Sequence, residues 1–349
     1  MRRPTIYDVA ERAGVSKSLV SLVLRDSPKV SDEKRAAVLA AVAELDYTPS
    51  RLAAGLAGTR TRSIGVIIDD FANLWFVEAL AGLREALESG GYALSVADAR
   101  LNAHLGVDPI DAFRALRVDG IVLAGEASAE AVARVGVPAV VLGTRALVAP
   151  DLPVIASDEV EGGRLATQHL LELGHRRIAC VSGPGASAAA RERGYREAMA
   201  GAGATPRVVS ASATDEGAAR AVSGALFGRA AGQPGSGTDA PTAVFAVNDP
   251  MAVGVIGAAH ETGLVVPEHL SVMGYDDSPL AAYGIVALST ISGDPRELGE
   301  AAGEVLLAEL GAGRAAQGAG TAEVTGDAGS RIFVPQLVIR ASTAAMLRE

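Results

Sequence analysis

Behind Thr5, apolar residues recur at helical spacing at Ile6, Val9, Ala10 and Ala13, and Asp8 stands where a carboxylate favours a helix start. This predicts a first helix over 6–13. Gly14 and Val15 turn the chain, Ser16 can cap a second helix, and Val20, Val23 and Leu24 form its inner stripe. Ser31 caps a third helix that carries Asp32 and Glu33 in its first turn and turns Val38, Leu39, Val42 and Leu45 inward, ending near Tyr47 before Pro49. Helix, short turn, helix predicts either a nucleic-acid reader or an αα-hairpin cap.

After the polar linker 59–63 the period changes. Short apolar runs alternate with helical patterns every ~25 to 30 residues, the repeat of strand–helix units, and predict a parallel sheet. Candidate strands cover 64–68, 92–97, 120–123, 139–142, 178–181, 208–210, 243–247, 271–274 and 336–339; helices include 75–88, 160–173, 188–200, 250–262 and 297–310. Two doubly wound lobes follow, with a break near 158–163. The Gly-, Ala- and Thr-rich stretch 311–330 reads as a mobile insertion before the last strand.

Composition narrows the class. With 349 residues, 49% hydrophobic and 21% charged, and a mean hydropathy of +0.27, the chain can fill large cores and is not disordered. Its single cysteine, Cys180, excludes an internal disulfide, and no Cys/His group has zinc spacing. The longest apolar run, 251–259, is about half of the ~20 residues that cross a bilayer, so no membrane partner is expected. Asp8, Glu11 and Arg12 interrupt the stretch where a secretory signal would lie, which predicts a cytoplasmic protein.

Charge is uneven. The net of −10 argues against a general polyanion binder, yet residues 1–60 hold ten Lys/Arg against seven Asp/Glu, a net of +3. The remaining twenty-one basic and thirty-four acidic residues give −13. A small basic module on an acidic body suits local attraction to phosphate.

Three segments carry a resemblance: TIYDVAERAGVS at 5–16, VSDEKRAAVLAAVAELDYTPSRLAAGLAG at 30–58 and IGVIID at 64–69. Through them the chain resembles the LacI family of bacterial repressors. The resemblance implies an all-α helix-turn-helix headpiece (1–49), a hinge helix and linker (50–62), and a periplasmic-binding-protein-like α/β body (63–349) of two doubly wound parallel-sheet lobes. The N-lobe would take about 63–159 and 291–325, and the C-lobe about 160–290 and 326–349. It further implies a homodimer on palindromic double-stranded operator DNA, controlled by a small polar, sugar-like effector, with no cofactor.

In such a protein the second helix reads the major groove, and Lys17 and Ser18 are its base readers. Thr5, Tyr7, Ser16, Ser21, Ser31 and Tyr47 fall on phosphates, and Ala53 and Leu56 lie in the hinge. Leu56 would wedge into the minor groove, where unstacking a base step costs a few kcal/mol and is offset by closer contact. Leu19 and Leu22 depart from the threonine and arginine common in the family. Leucine offers only apolar contact where arginine reads guanine with two hydrogen bonds, so operator preference does not transfer from relatives.

In the body, Asn73, Asn248, Asp249, Asp276 and Asp277 sit where strands end, the side on which doubly wound sheets bind ligands. The resemblance assigns effector contacts to Arg191, Asn248 and Asp276 and an apolar wall to Trp75 and Phe76. Planar Arg with Asn and Asp suits vicinal hydroxyls. Asp249 and Asp277 read as helix caps, and Trp75 and Phe76 also suit lobe core. Gly143 and Thr144 stand where some sugar-binding relatives have an acid. An enzyme is the alternative from another class, but no GxSxG, P-loop or HExxH occurs, and GPG at 183–185 is a lone turn. The five histidines are scattered, and His175 reads as structural. A transport-type solute receptor would share the body but not the first sixty residues. No terminal heptad repeat predicts a coiled-coil tetramer.

Overall fold

The computed structural model describes residues 4–24, 27–47, 61–99, 101, 104, 106–125, 129–144, 152–227, 240–316 and 329–346. The chain forms two compact units, 1–61 and 62–349.

In the first unit, α1 (Ile6–Arg12), α2 (Lys17–Leu24) and α3 (Asp32–Glu44) follow the expected order. At the start of α1 the Thr5 amide and hydroxyl both donate to Asp8 Oδ2, at 2.7 and 2.6 Å. Gly14, at φ +64°, takes the left-handed turn between α1 and α2 that a side chain would strain. Ser16 Oγ accepts from the Leu19 amide at 3.3 Å. Val9, Val20, Val23, Val38, Ala41 and Tyr47 are among the buried core residues. Leu39, expected inside, is 51% exposed, because the buried stripe of α3 runs through Val38, Ala41, Val42 and Leu45 and leaves residue 39 a quarter-turn outside it. Arg12 Nε donates to Glu44 Oε2 at 2.8 Å, joining α1 to α3.

The second unit contains two parallel sheets. The N-lobe sheet has the order β11-β5-β4-β3-β1-β2, from β1 (Ser63–Ile68), β2 (Ala93–Asp98), β3 (Gly120–Leu123), β4 (Ala139–Leu142), β5 (Val154–Ser157) and β11 (Arg331–Phe333). Its central strands are buried except at Ser63, the first residue of β1, as expected of strands covered on both faces. One face packs on α4 (Trp75–Glu88) and α11 (Pro295–Ala316), the other on a core that includes Ile110 and Phe113 of α5 (Pro109–Ala115). A short α6 (Ala129–Ala133) precedes β4.

The C-lobe sheet has the order β7-β6-β8-β9, from β6 (Ile178–Ser182), β7 (Arg207–Ser210), β8 (Ala243–Ala246) and β9 (Ser271–Met273). Helices α7 (Glu159–Glu172), α8 (Ala186–Gly201), α9 (Glu216–Ser223) and α10 (Asp249–Glu261) flank it, α7 packing on α8 and α9 on α10. An antiparallel pair, β10 (Thr290–Ser292) with β12 (Gln336–Val338), completes this unit.

The chain passes between the lobes after β5, after β10 and after β11. Placing the last crossing near residue 325 is corrected by β11. Arg331, Ile332 and Phe333 pair in parallel with Ile155, Ala156 and Ser157, so the N-lobe extends to Phe333. A three-residue edge strand takes its place from the neighbour's open hydrogen-bonding groups, which no local pattern announces. The expected loop at 311–330 also begins later, since α11 runs to Ala316; residues 317–328 lie outside the described set.

Candidate functional site

Strand order reverses beside β1 in the N-lobe and beside β6 in the C-lobe, and a ligand cleft is expected outside the carboxyl ends of strands at such points. A cavity of about 660 Å³ lies there. All six side chains expected to contact an effector line it: Asn73, Trp75 and Phe76 from the N-lobe, and Arg191, Asn248 and Asp276 from the C-lobe. Ser187 Oγ of α8 donates to the Thr144 carbonyl beyond β4 at 3.0 Å, a contact between the lobes at its edge.

Arg191 is the centre of the C-lobe wall. Its α8 and the neighbouring α7 approach closely because Gly163 faces the Arg191 carbonyl and Gly194 faces the Val160 carbonyl; a Cβ at either glycine would overlap the opposing backbone. This contact sets Arg191 beside Glu159 at the start of α7. Arg191 Nε donates to Glu159 Oε2 at 2.6 Å, and Nη1 donates to the Val247 carbonyl at 2.7 Å and approaches Asp276 Oδ1 to 2.9 Å. The guanidinium also lies 3.6 Å from the centroid of the Tyr275 ring. Burial works against its charge, but Asp276 and Glu159 outweigh burial and hold its pKa above the ordinary value.

Asp276, 3% exposed at φ +111°, occupies a backbone region costly for a residue with a side chain. Its amide donates to the Ile291 carbonyl of β10 at 2.8 Å, tying the cleft to the strand that leads into the second lobe crossing. Burial pushes its carboxyl up to about 7 despite Arg191.

Asn248 caps α10, its Oδ1 accepting from the Met251 amide at 2.9 Å while Nδ2 donates to the Thr214 carbonyl at 2.9 Å. The cap expected at Asp249 therefore belongs to Asn248. Asp249 instead accepts from the Ser278 amide (2.8 Å), Ser278 Oγ (2.9 Å) and Thr290 Oγ1 (2.6 Å), and burial pushes its carboxyl up to about 6. Asp277 likewise caps no helix and pairs with Arg340 at 2.7 Å. Both carboxylates hold the 275–278 loop against neighbouring segments.

On the opposite wall, Asn73 Oδ1 accepts from the Trp75 amide at 3.0 Å, and Trp75 and Phe76 meet edge-to-face at 5.2 Å between centroids. Phe76 is N-lobe core and Trp75 packs against that core, so the two readings of this pair, wall and core, coincide. Sequence reasoning missed Asp69, Asp70, Glu159, Thr214, Asp215 and Glu216 on the lining. The run IIDD closing β1 signals the first two, whereas Glu159 is recognisable only through its distant partner. His175, read as structural, hydrogen-bonds Thr242 Oγ1 (2.9 Å) and Ser271 Oγ (3.0 Å), and burial lowers its pKa.

In the headpiece, Tyr7, Ser16, Lys17, Ser18 and Ser31 are exposed and Ser21 is half-buried. Lys17 Nζ donates to the Tyr7 hydroxyl at 3.1 Å, joining these two side chains in one patch. Thr5 is half-buried with its hydroxyl engaged by Asp8. Tyr47, expected on phosphate, packs in the core at 9% exposure, beside Val38, Ala41 and the other buried residues of the bundle. Leu22 is 37% exposed, while Leu19 packs on the core. Ala53 and Leu56 lie outside the described residues. Among the described residues, no group of acidic, His or Cys side chains is placed to hold a metal, and no helix is long and apolar enough to cross a membrane.

A helix-turn-helix unit on a two-lobed body with a polar cleft at its strand ends defines a ligand-binding transcriptional regulator. Comparison with known proteins identifies the family: residues 5–50 match the bacterial regulatory proteins of the lacI family, and 167–343 match a periplasmic binding protein-like domain. The regulator DegA of Bacillus subtilis is 30% identical over 99% of both chains. The ribose operon repressor of Escherichia coli is 35% identical over 87% of this chain and 92% of its own length. The lac repressor dimer bound to operator and the anti-inducer ONPF superposes with a TM-score of 0.76 at 28% identity, covering 99% of this chain and 100% of that one. The chain belongs to the LacI family, and these relatives are transcriptional regulators rather than enzymes.

Proposed function

We propose that this chain is a cytoplasmic repressor that binds a palindromic operator as a homodimer and changes its operator affinity when a small polar, sugar-like metabolite occupies the interlobe cleft. The observation that carries this reading is the convergence of Arg191, Asn248, Asp276, Asn73, Trp75 and Phe76 on one cavity. Relatives support it: the lac repressor dimer holds operator and ONPF, and the ribose operon repressor is named for a sugar operon. The domain plan is a headpiece to residue 49, a hinge over 50–62 and the effector body beyond.

In the headpiece, Lys17 and Ser18 read bases, Tyr7, Ser16, Ser21 and Ser31 contact phosphates, and Leu56 wedges into the minor groove from the hinge. Thr5 and Tyr47 support this surface from within. Two headpieces match a two-fold site. The effector favours one lobe arrangement, and a coupling of about 1 to 3 kcal/mol changes operator affinity about 5- to 150-fold.

A thermal-shift screen of sugars, polyols and nucleobases tests the cleft, since a ligand at 100 times its Kd adds about 2.7 kcal/mol. A ligand that stabilises the chain must also alter operator affinity; binding without that effect refutes control through the cleft. Leu56→Ala is expected to weaken specific operator binding far more than nonspecific binding, and equal losses in a titration exclude the wedge.

A further inference from the structure

Helix α2 reads KSLVSLVL and contains no Arg, Asn or Gln, the side chains that grip a guanine or adenine edge with two fixed hydrogen bonds. Val20 and Val23 are buried, and Leu19 and Leu24 pack on the headpiece core. Lys17, Ser18, Leu22 and the half-buried Ser21 face away from that core. At about 100° per residue they follow one another as Lys17, Ser21, Ser18 and Leu22 over an arc of about 140°. At one edge of the arc the Lys17 ammonium leans back onto Tyr7 of α1, 3.1 Å from the hydroxyl and 4.8 Å from the ring centroid. At the other edge stands Leu22, 37% exposed and an i, i+4 neighbour of Ser18. The outward ridge of the helix is thus a small hydroxyl followed by an apolar side chain.

The apolar group that a major groove presents is the C5 methyl of thymine. A leucine set against it takes both apolar surfaces out of water. Over guanine the same side chain covers the O6 and N7 acceptors, and over unmodified cytosine the N4 donor, and it returns no hydrogen bond for the water it displaces. The leucine therefore attracts one base and penalises its competitors. Resting on the reading of α2 as the base-reading helix, we propose that Leu22 is a specificity-determining residue that selects a C5 methyl. Each operator half-site then carries, under Leu22, a thymine whose methyl the side chain covers. A 5-methylcytosine presents the same methyl and is accepted better than cytosine at that pair.

The test starts from duplexes that the full-length protein enriches from a random-sequence library. In the enriched site each thymine is replaced in turn by deoxyuridine, which removes the methyl and keeps the pairing edge. At one thymine position of each half-site, deoxyuridine is expected to weaken binding about four-fold, the weight of one buried methyl. Leu22→Ala should bind thymine and deoxyuridine equally at that position. Leu39→Ala trims the exposed leucine of α3 instead and should keep the difference. Exchanging the same T·A pair for C·G should cost more than deoxyuridine does, and methylating that cytosine at C5 should recover part of the loss.

An enriched site in which no thymine is sensitive to loss of its methyl overturns the proposal. So does a sensitivity that Leu22→Ala retains in full at every position. The reading of α2 as a base reader fails on a different observable, namely a library from which no sequence is enriched.

Discussion

The two lobes bring opposite chemistry to one cleft. The C-lobe wall is a set of buried charges, Arg191 with Glu159 and Asp276, in which each member is tolerable only because the others are present. The N-lobe wall carries an aromatic pair, Phe76 and Trp75, which continue the hydrophobic core behind them, beside the polar Asp69, Asp70 and Asn73. The difference teaches that a polar anchor is all-or-none, whereas an apolar wall can be altered piece by piece. A ligand held by the first and covered by the second would find its orientation set in the C-lobe and its desolvation completed by the N-lobe.

The comparison is broken most severely at Arg191. Arg191→Met leaves Glu159 and Asp276 buried without their cation, and stability should fall by about 3 to 5 kcal/mol, read from urea unfolding of the body. Unchanged stability would mean that the cluster is not interdependent.

Gly194→Ala comes next. The added methyl forces α7 and α8 apart, at a cost of about 1 to 3 kcal/mol, and shifts Arg191 away from Glu159. Thermal denaturation and ligand affinity should fall together. Retained affinity despite lost stability would show that the close helix contact does not position the guanidinium.

Trp75→Leu should cost less than about 1.5 kcal/mol, because the side chain is only half-buried and the replacement is apolar. Ligand affinity should drop nonetheless, as measured by titration calorimetry. A large stability loss with intact affinity would return Trp75 to the core alone.

The last effect is a slope with pH. Burial raises the Asp249 pKa from 3.8 to about 6, so between these values the folded chain keeps a proton that the unfolded chain has lost. Its contribution to stability is full below pH ~4 and is lost as pH rises through ~6. Asp249→Asn should flatten that fall in urea midpoints measured across the window; an identical slope would remove Asp249 as its source.

The headpiece was legible as sequence because its signals are local. Thr5 with Asp8, Gly14 and Ser16 each act within a few residues, and the structure places them at the helix start, the turn and the next helix start. The exceptions involve neighbours farther away. Leu39 belongs to the same apolar helix as Val38, yet only the packing of α1 and α2 decides which of them is covered, and Tyr47 is drawn inward by the same bundle.

In the body, the alternation of apolar runs and helical stripes determined the strand–helix repeat, the two lobes and the strand ends that carry Asn73, Asn248 and Asp276. Tertiary structure decided which polar group serves which partner. Asn248 rather than Asp249 caps α10, Asp249 instead gathers Ser278 and Thr290, and Glu159 meets Arg191 across a pair of glycines. It also decided that residues 331–333 extend the N-lobe sheet. Periodicity records which face of an element is buried, a property of one stretch of chain. The partner of a buried charge or of an edge strand depends on residues tens to hundreds of positions away, brought together only when the whole chain packs.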